Sequence, residues 1–264
     1  MLGECTDTPD FASAPGEQRR ATVWSECVAD AMPNYHPETI DTARIAIREW
    51  IAPRLFGCAF EHPAEIYDRL ETDFRGHHMA KAAVEMGMWA LTAELRAQPL
   101  AVLLGGHHSV VPVGVSIGLQ PSPEHLAEKV VRYAEEGYRK IKIKIKPGKD
   151  IEYTRAARAA LGEHRHLMVD ANNAYTLDQT ALLKQLDEFR LLMVEQPLAW
   201  NDLVRHAQLQ RVLKTPICLD ESITDVDRAQ DMITLGSGKI INIKPGRVGG
   251  FTSALRIHDL CRQH

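Results

Sequence analysis

Long apolar runs are missing from this chain, along with other marks of a secreted or membrane-embedded protein. No stretch approaches the roughly 20 apolar residues that a bilayer-spanning helix needs. The opening residues, MLGECTDTPD, are acidic and carry no apolar signal core. Cysteine is scarce: Cys5, Cys27, Cys58, Cys218 and Cys261 are odd in number, scattered and free of any C-x-x-C pair. That argues against a disulfide or zinc framework and reads as reduced thiols in the cytoplasm. An excess of basic residues is lacking too. Lys and Arg number 31 against 35 Asp and Glu, for a net charge of −4, so nothing draws the chain toward nucleic acid or a membrane surface. The nucleotide-loop pattern G-x-x-x-x-G-K does not occur. What is present is 264 residues, 45% hydrophobic and 25% charged, enough for a sizeable core.

Within that background one stretch organises the rest. GYRKIKIKIKPG (137–148) alternates Lys140, Lys142, Lys144 and Lys146 with Ile141, Ile143 and Ile145. A period of two is a strand signature, with the ammonium groups on one face and the isoleucines on the other. Four further charged residues follow Lys144 at steps of 26, 25, 25 and 24 residues: Asp170 in VDANNAY, Glu195 in VEQPL, Asp220 in LDESI and Lys244 in INIKPGRVGG. Each ends a short apolar run. The step is the length of one strand, one helix and two short loops. Charge at the C-terminal ends of successive parallel strands is where α/β barrels carry their active sites, so the lysines are expected to face the three carboxylates across one mouth. Taken singly, a Lys-x-Lys strand is usually a solvated face, an Asp after a strand is usually a helix cap, and Arg139 to Lys149 fits a basic nucleic-acid patch. Against these stand the acidic balance of the chain, the lack of aromatics among the lysines beyond Tyr138, and the regular step.

The Lys-x-Lys strand, then Asp, Glu and Asp on the next three strands and a lysine on the sixth, resembles the enolase superfamily, muconate-lactonising-enzyme subgroup. FRGHHMAKAA (74–83), VDANNAY and INIKPGRVGG are most similar to the o-succinylbenzoate synthase / N-acylamino acid racemase family. The resemblance implies an α/β fold, a (β/α)-barrel with an N-terminal α+β cap domain. On that basis residues 1–20 are expected to be irregular, 21–106 a partial cap domain and 107–264 an incomplete barrel. About six of the eight strands are recognised, at 110–118, 139–145, 166–170, 191–195, 217–220 and 240–244, which predicts a C-terminally truncated chain, poorly soluble or inactive unless a partner supplies the missing strands. Ahead of them a strand is expected over Ala21–Ala29. Helices are expected from Pro37 with Ile40, Ala43, Ile47 and Ile51 on one stripe, from Pro63 to about Leu70, and from Met79 to before Gly105. His77-His78 and His107-His108 are read as surface or helix-start residues, since adjacent helical side chains do not easily share one ion.

The resemblance, read onto these positions, implies the chemistry. Asp170, Glu195 and Asp220 offer only hard oxygen donors, which selects Mg²⁺, or Mn²⁺ in its place. Asn172 and Glu221 are expected just behind them, Asn172 orienting a ligand or water and Glu221 pairing with a lysine. Lys144 is expected to remove the proton α to a small carboxylate substrate, with the ion steadying the enediolate. Lys142, about 6.6 Å away by strand rise, opposes a second positive charge at Lys144 by about 2.5 kcal/mol at an effective dielectric of about 20. Lys244 is expected to hold the enediolate or act as a second acid/base. The resemblance implies o-succinylbenzoate synthase activity, a dehydration in menaquinone biosynthesis. N-acylamino acid racemisation or cycloisomerisation remains the alternative, as does an inactive fragment. No nucleic-acid or membrane partner is expected, and a homo-oligomer stays open.

Overall fold

A computed structural model describes residues 20–264, so the expectation for residues 1–19 lies outside the described residues. The chain forms two compact units: residues 110–223 with 227–242, and residues 20–109 with 224–226 and 243–264. The division falls near the expected cap–barrel boundary, but the segment from residue 243 groups with the N-terminal residues.

The first of these units is a parallel sheet of six strands in sequential order: β1 (Val115–Ile117), β2 (Lys140–Lys144), β3 (His166–Asp170), β4 (Val194–Glu195), β5 (Ile217–Leu219) and β6 (Ile240–Ile241). Parallel neighbours need a crossover, and helices with local start signals supply it. Ser122 caps a helix that opens on Pro123 and runs to Glu135, Asp150 caps Ile151–Leu161, and Asp202 caps Leu203–Val212. The crossover between β3 and β4 departs from the regular step. It holds only the four-residue helix Thr180–Leu183 between two tighter 3₁₀ turns. Ile141, Ile143, Leu167, Val169, Val194, Ile217 and Leu219 are all fully buried. A parallel sheet covered by helices reads as such apolar runs. β1 is shorter than expected: Val110, Val111 and Val113 are exposed, and the strand pairs with β2 only from Val115. β1 and β6 are the sheet edges among the described residues.

The other unit is mainly helical. Thr39 caps a helix that begins at Ile40 and passes through a π-helical segment, Ala46–Ile51, before ending at Leu55. Ala43, Ala46 and Ile51 are buried and Ile47 packs against the same cluster, while Ile40, ahead of the wider segment, is exposed. Ala64–Glu71 follows Pro63 as expected. The long helix His78–Leu95 stops earlier than its apolar pattern suggests, because Ala97 takes a left-handed conformation, and Leu100–Leu103 forms a separate turn after Pro99. Ala21–Ala29 form no strand among the described residues. Their exposure alternates as in a strand, but without a hydrogen-bonding ladder. Two buried carboxylates tie helix starts in this unit. Glu38 accepts from the backbone N–H groups of Met79 and Ala80, and Glu85 from those of Phe251 and Thr252 at the start of helix Phe251–Gln263.

Candidate active site

The register of the sheet brings the charged residues level. Lys144 pairs with Asp170 across β2 and β3, Asp170 with Glu195 across β3 and β4, and Asp220 directly follows β5. Asp170, Glu195 and Asp220 are each 1% exposed, so their charges need partners within the protein. The alternation on β2 provides them for Asp170 and Glu195. The Lys142 ammonium lies 2.9 Å from both Asp170 Oδ2 and Glu195 Oε2, and Lys144 Nζ donates to Asp170 Oδ2 at 2.7 Å and to Asn172 Oδ1. Lys140 and Lys146 are exposed at the ends of the same face. The remaining oxygens are also engaged: Asp170 Oδ1 accepts from the Asn172 backbone N–H at 3.1 Å, and Glu195 Oε1 from the Asn242 amide at 2.9 Å.

These contacts move the titrations in opposite directions. Burial pulls the Lys142 ammonium down, but hydrogen bonds and charge from Glu195 and Asp170 outweigh it and hold the group above its ordinary range. Burial raises Asp170, yet Lys144 and Lys142 keep it below the usual carboxylate value. Glu221 is pushed up by burial and then by the neighbouring Asp220 charge. Glu221 does not pair with a lysine as expected. Its Oε1 accepts from the amides of Asn172 and Asn173, at 3.0 and 3.2 Å, because both asparagines turn back over the end of β3 with positive φ, 40° and 65°. Its Oε2 is buried without a hydrogen-bond partner.

Three residues that the spacing does not single out complete the arrangement: Asn242 on Glu195, Asn173 on Glu221, and Gln196. The Gln196 side chain is fully buried and uses all its hydrogen-bonding capacity. Its Oε1 accepts from the backbone N–H groups of Asp220 (3.0 Å) and Ser222 (3.2 Å), and its Nε2 donates to Leu198 O and Ser222 Oγ. One amide thus fastens the turn carrying Asp220 to the end of β4. The signal available in the sequence was an amide directly following a strand-end carboxylate, in EQ and DANN.

Lys244 belongs to the other unit, where it donates to the Tyr35 hydroxyl at 2.8 Å with its ammonium 4.8 Å from the ring centroid. There His77 and His78 stand at the start of helix His78–Leu95, as expected; His107 and His108 are exposed. Among the described residues no three His, Cys, Asp or Glu side chains approach closely enough to form an ion cage, since ammonium groups lie between the carboxylates. In kind, however, the donors suit a hard divalent cation. All are oxygens, three are almost wholly buried, and the unpartnered Glu221 Oε2 stands one residue from Asp220. No helix among the described residues is long and apolar enough to cross a membrane.

The family model described as Enolase C-terminal domain-like matches residues 125–264, more than half of the chain. An o-succinylbenzoate synthase of Geobacillus kaustophilus is 50% identical over 240 residues, covering 91% of this chain and 64% of that protein. An N-succinylamino acid racemase of Thermus thermophilus is 48% identical, covering 89% of this chain and 63% of its own length. The chain therefore spans a little under two thirds of these curated relatives. A crystal structure of an enolase-superfamily member from Enterococcus faecalis superposes with a TM-score of 0.87 at 40% identity, covering 94% of this chain and 66% of that one. Parallel strands with carboxylates at their ends, the matched domain and these likenesses agree: the chain belongs to the enolase superfamily, and its six-stranded sheet is of that superfamily's (β/α)-barrel type.

Proposed function

We propose that the site abstracts a proton α to the carboxylate of a small substrate and catalyses the o-succinylbenzoate synthase reaction, the dehydration of a succinyl-substituted hydroxycyclohexadiene carboxylate. The observation that carries this is the Lys144 ammonium placed at the end of β2 between Asp170 and Asn172, beside a second lysine held as a cation by two carboxylates. In this reading Lys144, reacting as the free amine, takes the α-proton, the bond to the neighbouring hydroxyl breaks as the ring double bond forms, and the resulting ammonium returns the proton to the departing oxygen as water. Lys142 lends positive charge where negative charge develops on the substrate. Mg²⁺ held through Asp170, Glu195 and Asp220, or Mn²⁺ in its place, would supply Lewis-acid stabilisation of the substrate carboxylate. Asn172 and Glu221 set the strand-end geometry behind these groups. A cytoplasmic setting accords with the few scattered cysteines.

A second reading has support of its own. The Thermus thermophilus relative is named N-succinylamino acid racemase, and racemisation needs two opposed acid/base groups, of which Lys144 would be one. Incubating the chain with both substrate types, with Mg²⁺ supplied, separates the two. Water loss from the cyclohexadiene acid supports the dehydration reading. Racemisation of N-acylamino acids with no dehydration overturns it.

A further inference from the structure

The oxygens that would receive a metal ion already hold protein cations. Asp170 Oδ2 accepts from both Lys142 and Lys144, at 2.9 and 2.7 Å, and a carboxylate oxygen has two lone pairs. Lys142 also takes Glu195 Oε2 at 2.9 Å, so a single ammonium bridges two of the three carboxylates assigned to the ion. The other oxygens of both carboxylates are engaged by the Asn172 backbone N–H and the Asn242 amide, which hold the carboxylates in place while their second oxygens face the lysines.

We infer that Lys142 is the resident counter-cation of this site, neutralising Asp170 and Glu195 when no metal is bound, and that a divalent ion must displace its head group to bind. The inference rests on the metal assignment above and adds a competition to it. The Lys142 side chain is 20% exposed while both carboxylates are 1% exposed, so the lysine side chain reaches solvent and the carboxylates do not. The cost of moving it sets the metal affinity. With that charge removed, Glu195 loses its Lys142 ammonium and Asp170 keeps only Lys144, which weakens the metal-free fold and strengthens the pull on any cation. An arginine keeps the charge and reaches both carboxylates with its fork.

The test compares the wild type with Lys142→Met and Lys142→Arg by Mg²⁺ titration calorimetry and by thermal unfolding with and without Mg²⁺. Lys142→Met is expected to bind Mg²⁺ at least tenfold more tightly and to unfold at lower temperature without metal, with most of that loss recovered on adding it. Lys142→Arg is expected to bind no more tightly than the wild type. A parallel measurement avoids substitution: amine-directed labelling of the wild type, read by mass spectrometry, should rise at Lys142 when Mg²⁺ is added. Unchanged labelling under saturating Mg²⁺, or equal or weaker binding by a folded Lys142→Met, overturns the inference while leaving the metal site standing. Absence of Mg²⁺ heat in both the wild type and Lys142→Met overturns the metal site and the inference together.

Discussion

Replacing Gln196 with leucine tests how the strand ends are held. The change keeps the volume roughly constant and removes an amide that makes four hydrogen bonds at a fully buried position. Two of the lost partners are backbone N–H groups, of Asp220 and Ser222, residues 1% and 2% exposed, so water cannot easily replace the acceptor. A buried donor left unmade costs about 1–3 kcal/mol, which puts the pair at about 2–6 kcal/mol; the Ser222 hydroxyl can rotate to a new partner and adds little. A central value of about 4 kcal/mol is a large share of the roughly 5–15 kcal/mol that holds a typical domain together. In urea, with a slope of about 2 kcal/mol per molar, the unfolding midpoint should fall by about 2 M. Gln196→Glu retains the acceptor and loses the donors, so it separates the two halves of the amide. A loss below about 1 kcal/mol for Gln196→Leu, at unchanged slope, would refute the idea that this amide fastens the Asp220 turn.

Other outcomes follow from single positions. Gly250→Ala should destabilise by more than about 2 kcal/mol in thermal unfolding, because φ is 124° there and a Cβ would run into the Glu85 carboxylate that caps helix Phe251–Gln263. Ile143→Ala, at a fully buried position between β1 and β3, should cost about 2–5 kcal/mol in urea unfolding. His206 is buried, its Nε2 accepting from the Leu198 N–H and its Nδ1 facing Asp202 O, and burial lowers its pKa below the ordinary 6.5. The unfolded chain therefore binds the proton first. Stability from this group is full above about pH 6.5 and is lost as pH falls toward the folded value, and unfolding titrations of wild type and His206→Leu should differ in slope in that window.

Much of the sheet was legible because strand and site share one signal. The apolar run Leu167-Met168-Val169 ending in Asp170 marks β3 residue for residue, and the Lys/Ile alternation marks β2 and its charged face. Elsewhere, local pattern and tertiary partner part company. Val110, Val111 and Val113 have strand propensity but are exposed, and pairing with β2 begins only at Val115, opposite Ile141. Ala21–Ala29 alternate in exposure with no strand among the described residues to pair with. The stripe from Ile40 assumes 3.6 residues per turn throughout, and the π-helical segment breaks that assumption. At the site, spacing located the charges, while the amides of Asn173, Gln196 and Asn242 carry no spacing of their own. Their roles depend on positive φ at Asn173 and Gln196 and on a contact across strands at Asn242. The 24-residue step to Lys244 likewise does not disclose that this lysine clusters with the helical unit and donates to Tyr35.

The central claim is that Lys144 moves the α-proton. Its most direct test is deuterium exchange at that carbon, followed by NMR in deuterated buffer with saturating Mg²⁺, for the wild type and Lys144→Ala. Lys144→Ala removes a side chain that bonds Asp170 and Asn172 and leaves all three carboxylates assigned to the ion in place, so Mg²⁺ should still bind it by calorimetry. The account predicts exchange in the wild type and a loss of at least about a thousandfold in Lys144→Ala, in line with removal of a general base. Exchange at the wild-type rate in a folded, Mg²⁺-binding Lys144→Ala protein would contradict it.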